Sequence, residues 1–230
     1  MENYTDASQL WILDNLKPNT VNQFLQLGQT SSHPKGHLIL RVRERRPDIF
    51  FILGGKVQIY TLTKCGKKKI LFILGKNNIV NDSFLYDSNA VYCETLETCH
   101  FHQIHRETLL ALMEKDFQLT KNLFAYQEWK LSRLEHQLKN TVGSIYLERR
   151  LAAKLWKLAR DFGRPTDKGT LIDMDLTVTF LADLLGAPRE TTSRVCKKLA
   201  DQGLIYMQKK KIYIPDMERM AKFHNKSPIL

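Results

Sequence analysis

Between Asp48 and about Ile104, short apolar segments alternate with breaks of Gly, Asn and Lys at intervals of about 8–12 residues. The run DIFFILGGKVQIYTLT, the break Lys64-Cys65-Gly66-Lys67 and the run KKILFILGKNNIV are rich in β-branched and aromatic residues. They read as strands, with a hairpin turn at Lys64–Lys67 and a bulge or a close backbone contact at Gly54-Gly55. A β-sandwich or roll is the economical arrangement. After Arg106 the period changes, and Glu107 opens a helical stretch, RETLLALMEK. From Asp116 onward, Phe124, Leu131, Leu138 and Ile145 recur every seven residues, with Thr120, Gln127, Leu134 and Thr141 between them. That spacing predicts a helix with a dimer seam centred on Phe124, Leu131, Leu134 and Leu138. Gly143 is placed as a hinge. Ser144–Ala159 reads as a second amphipathic helix, closed by Gly163 and Pro165.

Residues 177–203, TVTFLADLLGAPRETTSRVCKKLADQG, carry the clearest short-range signal. Leu181, Leu184 and Leu185 line one face of a helix, Ala182 is small enough for a close crossing, and Gly186 supplies the left-handed turn that ends it. Pro188 starts a second helix, where its missing N–H costs nothing. Val195 and Leu199 face inward, which turns Glu190, Ser193, Arg194 and Lys197 outward. The pattern is that of a helix-turn-helix. Leu204–Ile214 follows as a strand, the basic turn Lys209-Lys210-Lys211 and a return strand, a two-stranded wing.

Charge strengthens this reading. The 230 residues hold 35 Lys+Arg against 24 Asp+Glu, a net +11, and residues 143–214 alone hold fourteen against eight, a net +6. More than half of the excess thus lies in under a third of the chain, pointing to a polyanionic partner for the C-terminal part. The longest apolar runs, such as Ile49–Leu53 and Ile70–Leu74, fall far short of the roughly 18 residues that a membrane span needs. The N-terminus lacks a basic segment followed by an apolar one. A cytoplasmic protein without a membrane partner is expected. Cys65, Cys93, Cys99 and Cys196 are widely spaced, which suits reduced thiols better than a disulfide framework. Three regions follow: a sensing domain over 1–115, a dimerisation helix over 116–142, and a DNA-binding domain over 143–230.

The outward face of the second helix has the chemistry for reading base edges. Arg194 can donate two hydrogen bonds to guanine O6 and N7, and Glu190, one turn earlier, can accept from cytosine N4 and hold the guanidinium flat. Arg189 is a second guanine reader. Thr177, Thr179 and Thr191 offer hydroxyls near helix starts for phosphate contacts, joined by Lys197, Lys209 and Lys210. The segment Arg189-Glu190-Thr191-Thr192-Ser193-Arg194, with Gly186 in the turn, resembles the recognition-helix signature R-E-T-x-x-R of the cyclic AMP receptor protein/fumarate–nitrate regulator (CRP/FNR) superfamily. The resemblance spans about residues 35–215. It implies an α+β fold: an N-terminal jelly-roll β-roll of the cyclic-nucleotide-binding kind, a long dimerisation helix and a C-terminal winged helix-turn-helix. It further implies a homodimeric transcription factor with double-stranded DNA and RNA polymerase as partners, and adds Ser193 to the base readers.

Members that bind cyclic AMP carry Gly-Glu and, about ten residues later, Arg-Ser. Aligned here, those positions are Asn81-Asp82 and Asn89-Ala90, and the adenine-contacting Thr-Ser on the long helix becomes Glu135-His136. Without the arginine a buried phosphate would go unpaired, so cyclic AMP is not expected. Iron–sulfur sensing needs clustered N-terminal cysteines, and residues 1–64 contain none. The expected effector is a small organic molecule, of phenolic or aromatic type, in a pocket bordered by Asn81, Asp82, Tyr92, Tyr126, Trp129 and Lys130, with a loose likeness to the chlorophenol-responsive branch.

A rival reading takes His100, His102 and Glu107 as a cupin-like metal set in a β-roll enzyme. Against it, position 94 holds Glu where that motif wants Gly, and Glu107 opens a helix. Cys93 and Cys99 form a candidate thiol sensor, whereas Cys196 falls on the inner side of its helix. No GxGxxG, GxxxxGK[ST], GxSxG or HExxH is present. No enzyme, metal or cofactor is therefore expected.

Overall fold

A computed structural model describes residues 6–81, 83–85, 89–139 and 147–225. Asp82, Thr141, Gly143 and Ile145 lie outside these. The chain divides into two compact units, residues 1–134 and 135–230.

The first unit opens with two short 3₁₀ turns, Ala7–Gln9 and Trp11–Leu13, and helix α1 (Pro18–Leu27). Seven strands follow: β1 (Gln29–His33), β2 (Leu38–Leu40), β3 (Asp48–Gly54), β4 (Val57–Leu62), β5 (Lys68–Leu74), β6 (Tyr92–Thr95) and β7 (Cys99–His105). They form two antiparallel sheets, ordered β1-β7-β3 and β2-β6-β4-β5. The unbroken apolar run in β3 has a structural cause. Phe50 and Ile52 join Phe72, Leu74 and Phe101 inside the roll, while Ile49, Phe51 and Leu53 join Phe24, Leu109 and Leu123 beneath the helices. Both faces of the strand are thereby covered, so no polar alternation survives. Register shifts between Ile52 and Gly54, and at Gly55 (φ +84°) a Cβ would lie 2.5 Å from the Thr98 carbonyl oxygen. The expected tight turn follows β4, with Gly66 (φ +72°) donating to the Thr63 carbonyl at 2.8 Å.

Helix α2 (Arg106–Lys115) leads into α3 (Phe117–Lys139) through Asp116. The buried Asp116 carboxylate accepts from the Gln118 and Lys17 amides at 3.1 and 2.9 Å, which breaks one helix and starts the next. These bonds hold its carboxyl below the usual range. One face of α3 buries Leu119, Leu123 and Tyr126. A different stripe, spaced by seven, stays open: Phe117 (69% exposed), Phe124 (64%), Leu131 (57%) and Leu138 (66%).

In the second unit, α4 (Leu147–Phe162) buries Leu151, Ala152, Leu155 and Leu158. It ends just before Gly163, where a Cβ would come within 2.0 Å of the Ala159 carbonyl oxygen. Beyond it the chain does something the sequence reading did not anticipate. Gly163–Thr166 (β8) and Gly169–Ile172 (β9) make a hairpin, and with β10 (Tyr206–Gln208) and β11 (Lys211–Ile214) they form one sheet, ordered β10-β11-β9-β8. The two-stranded wing is therefore half of a four-stranded sheet. Pro165, read as a helix terminator, sits on an edge strand, where its lack of an N–H is tolerated. Helices α5 (Val178–Leu185) and α6 (Arg189–Asp201) carry the helix-turn-helix, and α7 (Met217–Asn225) buries Met220 against α4. No described helix is long and apolar enough to cross a membrane.

Candidate nucleic-acid interface

Helix α5 begins at Thr177, whose hydroxyl accepts from the Phe180 amide at 3.1 Å, a side-chain cap. Leu181, Ala182, Leu184 and Leu185 are buried. Gly186 adopts φ +70° and closes the helix on the Ala182 carbonyl at 2.8 Å. Pro188 then caps α6, its carbonyl accepting from both the amide and the hydroxyl of the fully buried Thr192 at 2.9 and 3.0 Å. Thr192, Val195, Cys196 and Leu199 make the inner face. Cys196 packs there, its thiol pushed up to about 11 by burial, and is no ready nucleophile.

The outer face is chemically unoccupied. Arg189, Glu190, Ser193, Arg194 and Lys197 are all exposed, and none of their side chains has a hydrogen bond or ion pair to another described residue. Their neighbours, by contrast, anchor the frame: Lys198 pairs with Glu148 at 2.7 Å, and Arg150 donates to the Leu185 carbonyl at 3.1 Å. Thr179 is exposed in the first turn of α5, while Thr191 is half-buried. The Thr177 hydroxyl accepts as a cap, which leaves its own proton for an outside acceptor.

The basic turn divides by function. Lys211 lies in β11 and pairs with Asp175 at 3.2 Å, so the turn proper is Lys209 (φ +55°) and Lys210, both exposed. The Lys210 carbonyl accepts from the Leu176 amide at 2.7 Å, which ties the hairpin tip to the entry of α5. Eight exposed cations and hydroxyls, on Thr177, Thr179, Arg189, Ser193, Arg194, Lys197, Lys209 and Lys210, thus stand on one braced scaffold.

In the first unit the predicted effector residues are scattered. The buried Asn81 side chain accepts from the Phe50 amide at 3.0 Å and donates to the Asp48 carbonyl at 2.7 Å, holding the start of β3. Tyr92 stacks on Tyr60, centroids 5.1 Å apart, and the Lys130 ammonium lies 5.7 Å from the Phe72 ring centre. Tyr126 and Trp129 do meet, lining a cleft of about 380 Å³ with Trp11, Asn77 and Ala125. Asn81, Tyr92 and Lys130 are not part of that lining, because the fold holds the first two elsewhere. Asp82 lies outside the described residues. Trp11, which the sequence reading missed, stacks on Tyr126 at 5.8 Å and donates from its indole to the Asn77 carbonyl at 2.7 Å. Only its place in an apolar N-terminal run hinted at it.

The rival metal set does not assemble. His102 is 2% exposed, packs tilted against the Phe24 ring, and contacts the Phe24 carbonyl at 3.2 Å; a carbonyl only accepts, so the neutral ring carries its proton on Nε2. Glu107 lies in the first turn of α2, and the described residues contain no group of three metal-ligating side chains. Burial pushes the Cys93 thiol well up and the Cys99 thiol up to about 11, opposite to what a thiol sensor needs.

The sequence matches a Crp-like helix-turn-helix domain over residues 149–223 and a cyclic nucleotide-binding domain over residues 30–116. Together the matches span well over half of the chain. A CRP-like cAMP-activated global transcriptional regulator of Mycobacterium tuberculosis is 24% identical over 213 residues, covering 92% of this chain and 95% of the relative. A probable transcriptional regulator of Lacticaseibacillus casei is 28% identical, over 76% of this chain and 78% of its own length. Among solved structures, a CRP/FNR-family transcriptional regulator from Thermus thermophilus superposes with a TM-score of 0.74 at 19% identity, covering 86% and 99% of the two chains. CooA from Carboxydothermus hydrogenoformans does so at 0.74 and 18%, covering 96% and 97%. The two curated relatives and the Thermus protein are regulators of transcription and not enzymes. With a β-roll, a long helix and a winged helix-turn-helix matched in order, the chain belongs to the CRP/FNR superfamily of transcriptional regulators.

Proposed function

We propose that this regulator works as a homodimer that reads an inverted-repeat operator and answers to a small organic effector other than cyclic AMP. The observation that carries the DNA part is the outer face of α6. Arg189, Glu190, Ser193 and Arg194 are exposed and free of described partners on a helix whose other face is buried. Arg194 and Glu190 read base edges, Arg189 and Ser193 extend the contact, and Thr177, Thr179, Thr191, Lys197, Lys209 and Lys210 meet phosphates.

The open stripe Phe117–Phe124–Leu131–Leu138, with Leu134 at 41% exposure, supports pairing of two α3 helices. Two recognition helices would then enter successive major grooves, with half-site centres about 10–10.5 base pairs apart or a multiple of that. RNA polymerase is the expected third partner.

For the effector, the cleft between Trp11, Tyr126 and Trp129 suits a flat aromatic molecule, and Asn77, which lines it, has a buried Oδ1 with no partner among the described residues that would accept from a ligand hydroxyl. A solved structure with this fold, CprK, holds OCPA, at a TM-score of 0.64 and 18% identity. Neutral Asn89 at the family's arginine position argues against a cyclic phosphate. The decisive experiment selects bound duplexes from a randomised pool, with and without cell extract. Enrichment of an inverted repeat only with extract is the expected result. Failure to enrich any sequence in either arm overturns the reading.

A further inference from the structure

The loop between β2 and β3 reads Arg41-Val42-Arg43-Glu44-Arg45-Arg46, four guanidinium groups in six residues. Its backbone is held at five places. Glu44 donates to the Arg41 carbonyl at 3.2 Å and Arg43 to the Asn89 carbonyl at 3.0 Å. The side-chain amide of the buried Asn89 donates to the Glu44 carbonyl at 3.0 Å. Arg106 donates from its guanidinium to the Arg46 carbonyl at 2.8 Å and from its amide to the Pro47 carbonyl at 2.7 Å. At Arg43 the clamped chain takes φ +65°, a left-handed conformation costly for a residue with a Cβ. A loop serving only as a connection would place Gly or Asn there.

This rigid loop borders a cavity of about 500 Å³, to which His37, Arg41, Arg43, Glu44 and Arg46 contribute. The His33 ring stacks on His37 with centroids 4.4 Å apart. Glu44 and Arg46 pair at 3.2 Å and cancel each other. The Arg41 and Arg43 side chains are exposed, and their guanidinium groups have no partner among the described residues. Among those residues the pocket therefore carries two unpaired positive charges on planar, forked donors, with an imidazole beside them.

We infer that this cavity is a second ligand site of the sensor roll and takes a phosphate-type dianion, such as the phosphate group of a small metabolite. Two guanidinium forks match the charge and the oxygen geometry of that group, and a compact ammonium would not. The clamped backbone fixes where the two side chains emerge, so the main chain needs little ordering on binding. Its lining shares no residue with the aromatic cleft, and the inference holds whichever molecule fills that cleft.

The test is calorimetric titration of the full-length protein in chloride buffer with two probes, inorganic phosphate and ribose 5-phosphate. Ring resonances of His33 and His37 are followed at one fixed pH. Saturable binding of either probe that moves the His37 signal is expected. Equal affinities mean that the dianion alone is read, and tighter ribose 5-phosphate binding means that the cavity also holds the sugar; both support the site. Arg41→Gln and Arg43→Asn should each weaken binding about tenfold with an unchanged melting midpoint, since Asn tolerates the left-handed backbone. Arg41→Lys, which keeps charge without the fork, should fall between. Lys67→Gln, in the exposed turn after β4, should bind the probe as the natural protein does. Absence of saturable binding, undiminished binding in the Arg41→Gln/Arg43→Asn double variant, or loss in Lys67→Gln would overturn the assignment.

Discussion

The outer face of α6 and the polar residues of the roll treat their side chains in opposite ways. On α6, Arg189, Glu190, Ser193, Arg194 and Lys197 take no part in holding the protein together, whereas the roll uses Asn81, Asn89, Tyr126 and His102 to satisfy its own backbone. A polar residue that the fold has already engaged is a poor candidate for a ligand, however well it aligns. One that is left over on a rigid frame, as Arg41 and Arg43 also are, is a good one.

The sharpest way to break this contrast is Asn81→Ala. It orphans the buried Phe50 amide and the half-buried Asp48 carbonyl and should cost about 2–4 kcal/mol of stability, read by denaturant unfolding. An unchanged midpoint with a lost effector response would return Asn81 to the ligand set. Arg194→Ala should behave in reverse, losing about 1–3 kcal/mol of discrimination at one base position while stability stays within about 0.5 kcal/mol. Binding assays on matched and mismatched duplexes decide it; equal losses on specific and random DNA would remove Arg194 from the readers.

A third test uses pH. Burial holds the His102 pKa below its ordinary 6.5, so the unfolded chain takes up a proton before the folded one does. Stability of the sensor unit is therefore level above that value. It falls as the pH drops below it, by at most about 1.4 kcal/mol per pH unit for this one group. His102→Gln, which keeps a donor for the Phe24 carbonyl, should flatten the decline in melting temperature. The smallest effect belongs to Lys210→Ala, which should weaken all sequences alike and reduce the slope of log affinity against log salt by about 0.9. A sequence-dependent loss would give the wing a reading role.

Local signals made much of this molecule legible. The helix-turn-helix is encoded within a single stretch by Thr177, Gly186, Pro188 and the buried positions Leu181, Val195 and Leu199, each acting on residues a few places away. The seven-residue stripe on α3 is likewise a property of one helix. What escaped depends on distant partners. Pro165 reads as a helix stop, and only pairing of β9 with β11 makes it part of a sheet edge. Trp11 meets Tyr126 across more than a hundred residues, and the shape of the Arg41–Arg46 loop depends on Asn89 and Arg106. No periodicity encodes contacts of that kind.

The bond from the Leu176 amide to the Lys210 carbonyl joins the hairpin tip to the entry of the helix pair that carries the readers. On the proposed reading this bond acts like the lock of a caliper, fixing the tip cations against the base-reading turn. A mismatch in groove width would then fall to bending or twisting of the DNA, and stretches that deform easily would be favoured even at steps that no side chain touches.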